Sequence, residues 1–198
     1  VTFIMLFVAG GKIKHLFGII LPALFTLAIF FIFSSDYRRE RMLNFIDPWK
    51  DAADAGYQLI QSFLALGSGG LTGLGLGQSR QKTLYMPEPH NDFIFSIIGE
   101  EVGLIGCLFI IGLFLIFIWR GVKVAMNARD TYGKLLAMGI TSIIAVQAII
   151  NIAVVTGSMP VTGVPMPFIS YGGTSLVINL TAMGILLNIS RQVERKIV

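Results

Sequence analysis

An all-α, polytopic helical bundle spanning a lipid bilayer is the fold class this sequence predicts, and three observations predict it. Hydrophobic residues make up 55% of the chain and charged residues 13%, against roughly 45–50% and about 25% in a soluble globular domain. Mean hydropathy is +0.78. The apolar residues gather into runs long enough for a bilayer core, which needs about 20 helical residues, and shorter charged segments separate them.

The elements follow in order. Residues 1–9 are an apolar run too short to span, and the chain starts in mid-run without methionine, so a fragment of a longer protein is expected. Residues 16–33 form a first full span, with Pro22 near one end, where neighbours can satisfy the carbonyl a proline frees. A large polar loop, 34–92, follows. Further spans are expected at 93–119, 135–156 and 172–189, the last two joined by a short proline-rich loop, 158–171. The chain 1–198 thus reads as one C-terminal membrane domain with about four full spans and a truncated one. Cys107 is the single cysteine and lies inside an apolar run, so cysteines build neither a disulfide framework nor a metal cluster, and packing or lipid contact is its expected role.

Charge orients the spans. Lys12 and Lys14, then Arg120, Lys123, Arg129 and Lys134, then Arg191, Arg195 and Lys196 fall on one side, opposed there by Asp130 and Glu194. Short loops rich in Lys and Arg face the cytoplasm. That places the C-terminus in the cytoplasm and both 34–92 and 158–171 outside it, with Asp92 at the outer end of a span. Nothing in this pattern points to nucleic acid; the partner implied is the membrane.

A connection as long as 34–92 is more often functional than a tether. Asp47-Pro48-Trp49 marks a turn with an aromatic suited to the interface. Residues 57–65 have helical character, with Leu59, Phe63 and Leu66 on one apolar face for the outer leaflet. The run Gly67-Ser68-Gly69-Gly70-Leu71-Thr72-Gly73-Leu74-Gly75-Leu76-Gly77 lacks the preceding strand and the lysine-serine ending of a nucleotide-binding loop. It reads instead as a flexible outer loop, either approaching a membrane-bound substrate or simply connecting.

Acids concentrate at the start of the next span. Asp92, Ser96 and Glu100 succeed one another at helical four-residue steps, with Glu100 roughly 12 Å deeper than Asp92 at about 1.5 Å per residue. A carboxyl group at that depth is costly and calls for a purpose. For Glu100 and Glu101 the alternatives are a functional group or a polar anchor pairing with Gln147, Asn151 or a helix outside this chain. For Asp92 they are a helix N-cap or a catalytic base. Gln147, Asn151, Asn179 and Asn188 suit interhelical hydrogen bonds, and Gly99, Gly103 and Gly106 a close-packing stripe. His90 sits beside Asp92, without the spaced partners a metal site requires.

Taken together, Tyr57-Gln58-Leu59-Ile60-Gln61-Ser62, the glycine run through Gly77-Gln78-Ser79, Pro87-Glu88-Pro89-His90-Asn91-Asp92-Phe93-Ile94-Phe95, Gly99-Glu100-Glu101 and Pro165-Met166-Pro167-Phe168-Ile169-Ser170-Tyr171-Gly172-Gly173-Thr174-Ser175 resemble the SEDS family of RodA, FtsW and SpoVE, in order across nearly the whole chain. The wording around Val161-Thr162-Gly163-Val164-Pro165 is closest to the FtsW and SpoVE branch. The resemblance implies the C-terminal half of a peptidoglycan glycosyltransferase that polymerises lipid II outside the bacterial cytoplasmic membrane, in division or sporulation, beside a class B penicillin-binding protein. The family's essential aspartate maps onto Asp92.

That chemistry assigns expected roles. A sugar hydroxyl must lose a proton as it attacks, which Asp92 at the water boundary can accept. The departing lipid pyrophosphate needs positive charge, from Arg41, Arg80 and Lys82 or from a divalent cation, magnesium or manganese, for which no site is assigned. His90, Glu100, Ser170 and Tyr171 complete the expected substrate contacts. The proline-rich loop forms either one wall of the site or a packing corner, with Gly172-Gly173 permitting unusual backbone or close approach as the next helix begins. Transport of lipid II through a passage lined by Glu100, and a non-catalytic scaffold for the transpeptidase, are the rival functions.

Overall fold

A computed structural model describes residues 1–11, 14, 18, 21–33, 45–51, 56–80 and 92–194. Among these every regular element is helical: α1 (Thr2–Val8), α2 (Leu21–Phe33), a 3-10 turn (Pro48–Asp51), α3 (Tyr57–Gly69), α4 (Ile94–Asn127), α5 (Thr131–Val155) and α6 (Gly173–Glu194). The stretches Ile94–Asn127, Thr131–Val155 and Gly173–Val193 are long and apolar enough to cross a membrane, which agrees with the second, third and fourth predicted spans. The first, 16–33, lies partly outside the described residues, and its described part is α2.

The chain divides into two compact units. The first comprises Val1–Arg39, Ile116–Val146 and Ile178–Val198. Here small residues let helices close in: Thr141 lies against the Cα of Gly121, and the Met5 sulfur is 3.1 Å from where a Cβ on Gly139 would be. Asp130 caps α5, its Oδ2 accepting the Gly133 N–H at 2.9 Å. Trp119 near the end of α4 carries the Arg120 guanidinium 5.4 Å and the Lys123 ammonium 5.6 Å from its ring centre, as suits an aromatic and basic membrane boundary.

The second unit comprises Glu40–Leu115 and Gln147–Val177. Its core is Phe93, Phe95, Cys107, Val154, Val155 and Met166, with Leu66, Ile150 and Ile169 packed on it; Cys107 is therefore a packing residue. The helix predicted at 57–65 is present and runs on to Gly69 as α3. It is anchored inward as well as along an apolar face, because buried Ser62 donates through Oγ to the Val155 carbonyl at 2.8 Å. The end of α5 turns sharply: Ser158 N–H reaches Ala153 O at 2.7 Å and Gly157 N–H reaches Val154 O at 3.0 Å. This is the Schellman arrangement, with Gly157 at φ +66° and the Phe63 ring against its Cα.

The largest departure from expectation is in α4. A helix of 34 residues would be about 51 Å long, but this one is interrupted at Gly103, where φ is 73° and ψ −168°. An unbroken helix would join Leu104 N–H to Glu100 O and Ile105 N–H to Glu101 O. Instead the glycine run enters the gap. Leu74 N–H donates to Glu100 O at 2.9 Å and Gly75 N–H to Glu101 O at 3.0 Å, while Leu104 N–H donates to Gly70 O at 3.0 Å and Ile105 N–H to Leu71 O at 3.3 Å. The Glu100 and Glu101 carbonyls and the Leu104 and Ile105 N–H groups thereby find partners in the strap, as non-helical backbone at membrane depth requires. The glycine run is thus neither a flexible substrate loop nor a mere connector, but a backbone-paired strap. Gly103 is the break itself rather than part of a packing stripe, whereas Gly99 does pack closely, against Leu66.

Candidate functional site

The site is assembled by three segments of the second unit: the strap with residues that follow it, the head of α4, and the proline-rich loop after α5. Asp92 is half-buried immediately ahead of α4. Its main-chain carbonyl accepts a hydrogen bond from Asn151 Nδ2 at 2.8 Å, and the same nitrogen donates to the Val164 carbonyl at 2.8 Å. One amide therefore ties the head of α4 to the proline-rich loop. The next carbonyl, of Phe93, accepts both the Ser96 N–H at 3.0 Å and the Ser96 hydroxyl at 2.7 Å.

The carboxylate of Asp92 lies beside Gly163, whose missing Cβ would be 3.4 Å from Oδ2. Gly163 has φ +66°, a left-handed conformation that glycine adopts at no steric cost. Unusual backbone in this loop is found at Gly163 and at Phe168, φ +65°. The expectation of unusual backbone at Gly172-Gly173 is corrected: neither has a positive φ, and Gly173 opens α6.

Glu100 is 1% exposed. Its Oε2 accepts the Ser79 hydroxyl at 2.5 Å and its Oε1 the Arg80 N–H at 3.1 Å. Of the alternatives for Glu100, these bonds fit the polar anchor, with partners at the end of the strap rather than Gln147 or Asn151. With two main-chain bonds and two side-chain bonds, Glu100 and Glu101 hold the chain from Leu74 to Arg80. Arg80 itself presents an exposed side chain at this point.

Ser170 sits in the proline-rich loop, where its Oγ accepts the Met166 N–H at 2.7 Å and its own N–H donates to Met166 O at 3.1 Å. The two bonds close a turn around Pro167 and Phe168. Tyr171, next along, is 84% exposed. His90, Lys82 and Arg41 lie outside the described residues, as do the neighbours of Asp92 from Pro87 to Asn91. Among the described residues no group of three His, Cys, Asp or Glu side chains converges to hold a metal, so the ligand set for a magnesium or manganese ion is not found there.

Three contributors escaped sequence reasoning. Ser62 and Ser79 lie in motifs that carry the family resemblance, but nothing in those motifs assigns either a partner. Asn151 was legible only as a polar residue in an apolar helix, and its link to Asp92, 59 positions away, has no sequence signal. Beside these, Glu101 Oε1, Gln147 Oε1 and Asn151 Oδ1 are buried without a hydrogen-bond donor among the described residues.

The comparisons with known proteins cover nearly the whole chain. The family described as Cell cycle protein, covering FtsW, RodA and SpoVE, matches residues 1–195. A protein of Geobacter metallireducens named probable peptidoglycan glycosyltransferase FtsW is 46% identical over 194 residues, 98% of this chain and 52% of that protein. Stage V sporulation protein E of Bacillus subtilis is 50% identical over 190 residues, 95% of this chain and 51% of that protein. The chain thus spans about half the length of the curated relatives it matches. Among solved structures, one described as showing structural coordination of polymerization and crosslinking by a peptidoglycan synthase complex superposes with a TM-score of 0.74 at 28% identity, over 96% of this chain and 53% of that one. A crystal structure of an aspartate-to-alanine mutant of the rod shape determining protein RodA of Thermus thermophilus gives 0.59 at 26% identity, over 96% and 46%.

Proposed function

The chain belongs to the Cell cycle protein family of FtsW, RodA and SpoVE, and on that premise we propose that it supplies the catalytic aspartate of a peptidoglycan glycosyltransferase. Three spanning helices and family membership make it part of a multi-pass protein of the cytoplasmic membrane. The full-length protein polymerises lipid II at the outer face, with the loop of Asp92 outside and the C-terminus in the cytoplasm. The alternation of basic short segments supports that orientation.

The observation that carries the reading is the setting of Asp92. Its main chain is fixed on the C-terminal side, through its own carbonyl and that of Phe93, and its carboxylate stands beside Gly163, which has no side chain. In the reaction, a sugar hydroxyl attacks the anomeric carbon that bears a lipid pyrophosphate. The new glycosidic bond forms as the bond to the pyrophosphate breaks, and Asp92 accepts the hydroxyl proton. Arg80, and Lys82 and Arg41 beyond the described residues, are the cations assigned to the departing pyrophosphate. A divalent magnesium or manganese ion remains an expectation alongside them.

The partner proposed is a class B penicillin-binding protein. Similarity to a peptidoglycan synthase complex that joins polymerization with crosslinking supports it. The transport reading leans on Glu100 lining a passage, yet both oxygens of Glu100 are engaged by Ser79 and Arg80, which favours the enzyme.

Purified full-length protein with its transpeptidase partner, supplied with lipid II in detergent, tests the proposal. Glycan product is expected from the unaltered protein and none from Asp92→Ala, with the partner still bound. Undiminished polymer from Asp92→Ala overturns the catalytic assignment.

A further inference from the structure

We propose that Asn151 is a positioning residue for Asp92, setting where the carboxylate stands against the proline-rich loop; the inference rests on the reading of Asp92 as the catalytic base. Asn151 is 1% exposed, deep in the second unit. Its Nδ2 uses both hydrogens on main-chain carbonyls, of Asp92 and of Val164, each at 2.8 Å. The two acceptors are 59 and 13 positions away in sequence, so no local chain geometry would bring them together without it.

Packing alone does not account for this side chain. Its Oδ1 is buried with no donor among the described residues, a state that costs free energy and that a leucine of similar size would avoid. What the amide supplies, and leucine cannot, is the pair of N–H bonds. Those bonds act where placement matters. Asp92 O is held by Asn151 while Phe93 O is held by Ser96, and Phe93 itself is buried in the core. The peptide from which the Asp92 side chain departs is thus fixed on its C-terminal side. The second carbonyl belongs to the residue after Gly163, the glycine whose Cβ position is 3.4 Å from Asp92 Oδ2. Asn151 therefore fixes the base and the loop beside it through a single group.

A general base must come within hydrogen-bond reach of the proton it removes, and a misplacement of about 1 Å can lower the rate about 100-fold. The loss should appear in kcat, because Asn151 is buried behind the main chain rather than exposed to substrate.

The experiment measures lipid II polymerisation by the full-length protein with its transpeptidase partner, together with thermal unfolding, for Asn151→Leu, Asn151→Ser, Ser62→Ala and Asp92→Ala. Asn151→Leu keeps the volume without the donors, and kcat is expected to fall about 100-fold with KM within about twofold. Asn151→Ser retains one hydroxyl donor and is expected to fall less, which also serves if the leucine variant does not fold. Ser62→Ala removes another buried bond to the same helix, the one to Val155 O, and is expected to lower Tm while kcat holds. Unchanged kcat in either Asn151 variant, or kcat falling with Tm alike in the Asn151 and Ser62 variants, overturns the positioning role. If Asp92→Ala retains polymerisation, the catalytic reading fails and this inference with it. If Asp92→Ala is inactive while the Asn151 variants are fully active, only the positioning role fails.

Discussion

Gly103 and Gly73 meet backbone to backbone: a Cβ on Gly103 would run into the Gly73 nitrogen and the Leu71 carbonyl, and one on Gly73 into the Glu101 carbonyl. The contact is what allows the strap to replace two missing helix hydrogen bonds in α4 with four main-chain bonds between the two segments.

Gly103→Ala is expected to be the most damaging glycine replacement in this helix. Its φ and ψ lie in a region that non-glycine residues enter at about 1–3 kcal/mol, and the methyl adds an overpacking cost of about 1–3 kcal/mol. Gly112→Ala, with open space around its Cβ position, is expected to stay within about 1 kcal/mol of the parent. Thermal unfolding in detergent checks the pair. Equal stabilities would mean that α4 runs through Gly103 unbroken.

Glu100 predicts a graded series. Alanine there leaves the Ser79 hydroxyl and the Arg80 N–H without their acceptor, at about 1–3 kcal/mol for a stranded donor. Glutamine keeps one oxygen for one of the two donors. Tm is therefore expected to fall from the parent through Glu100→Gln to Glu100→Ala. A substrate contact alone would alter KM for lipid II and leave this order absent.

How much of this was legible beforehand follows from the range of each interaction. Spans at 93–119, 135–156 and 172–189 could be read because hydropathy is a property of contiguous residues, and α3 because Leu59, Phe63 and Leu66 repeat at helical spacing. The break at Gly103 could not, because a glycine between apolar residues reads equally as helix packing. Only the strap, some thirty residues earlier by sequence, decides between them; its pairing to Glu100 and Glu101 is a main-chain match that side-chain identities do not announce. At the site, Asp92 was marked by its own chemistry and by family motif. The partners of Asn151 and Ser79 were not, since each acts on a residue far along the chain.

Gly163 separates loop geometry from loop composition. Alanine at φ +66° costs about 1–2 kcal/mol and sets a methyl 3.4 Å from Asp92 Oδ2, in the space a sugar hydroxyl would need. Gly163→Ala is expected to lower polymerisation further than its Tm loss explains. Gly173→Ala, at the start of α6 with nothing near its Cβ position, is expected to leave both unchanged. Full activity in Gly163→Ala would show that the space beside the carboxylate is not used.

Ser170 and Tyr171 are neighbours with opposite surroundings, and replacing each reads out a different property. The Ser170 Oγ is the acceptor for the N–H of Met166, whose side chain is in the core. Ser170→Ala removes that acceptor and is expected to cost about 1–3 kcal/mol, the penalty for stranding a buried donor. Tyr171 is exposed and supports no such turn, so Tyr171→Phe is expected to leave Tm unchanged. If the phenol contacts the lipid-linked sugar, as the sequence leads one to expect, Tyr171→Phe raises KM about 5- to 30-fold for a lost bond of about 1–2 kcal/mol. Unchanged KM would reduce Tyr171 to a surface residue, and a Tm loss confined to Ser170→Ala would leave the proline-rich loop acting on Asp92 only through Gly163 and Val164.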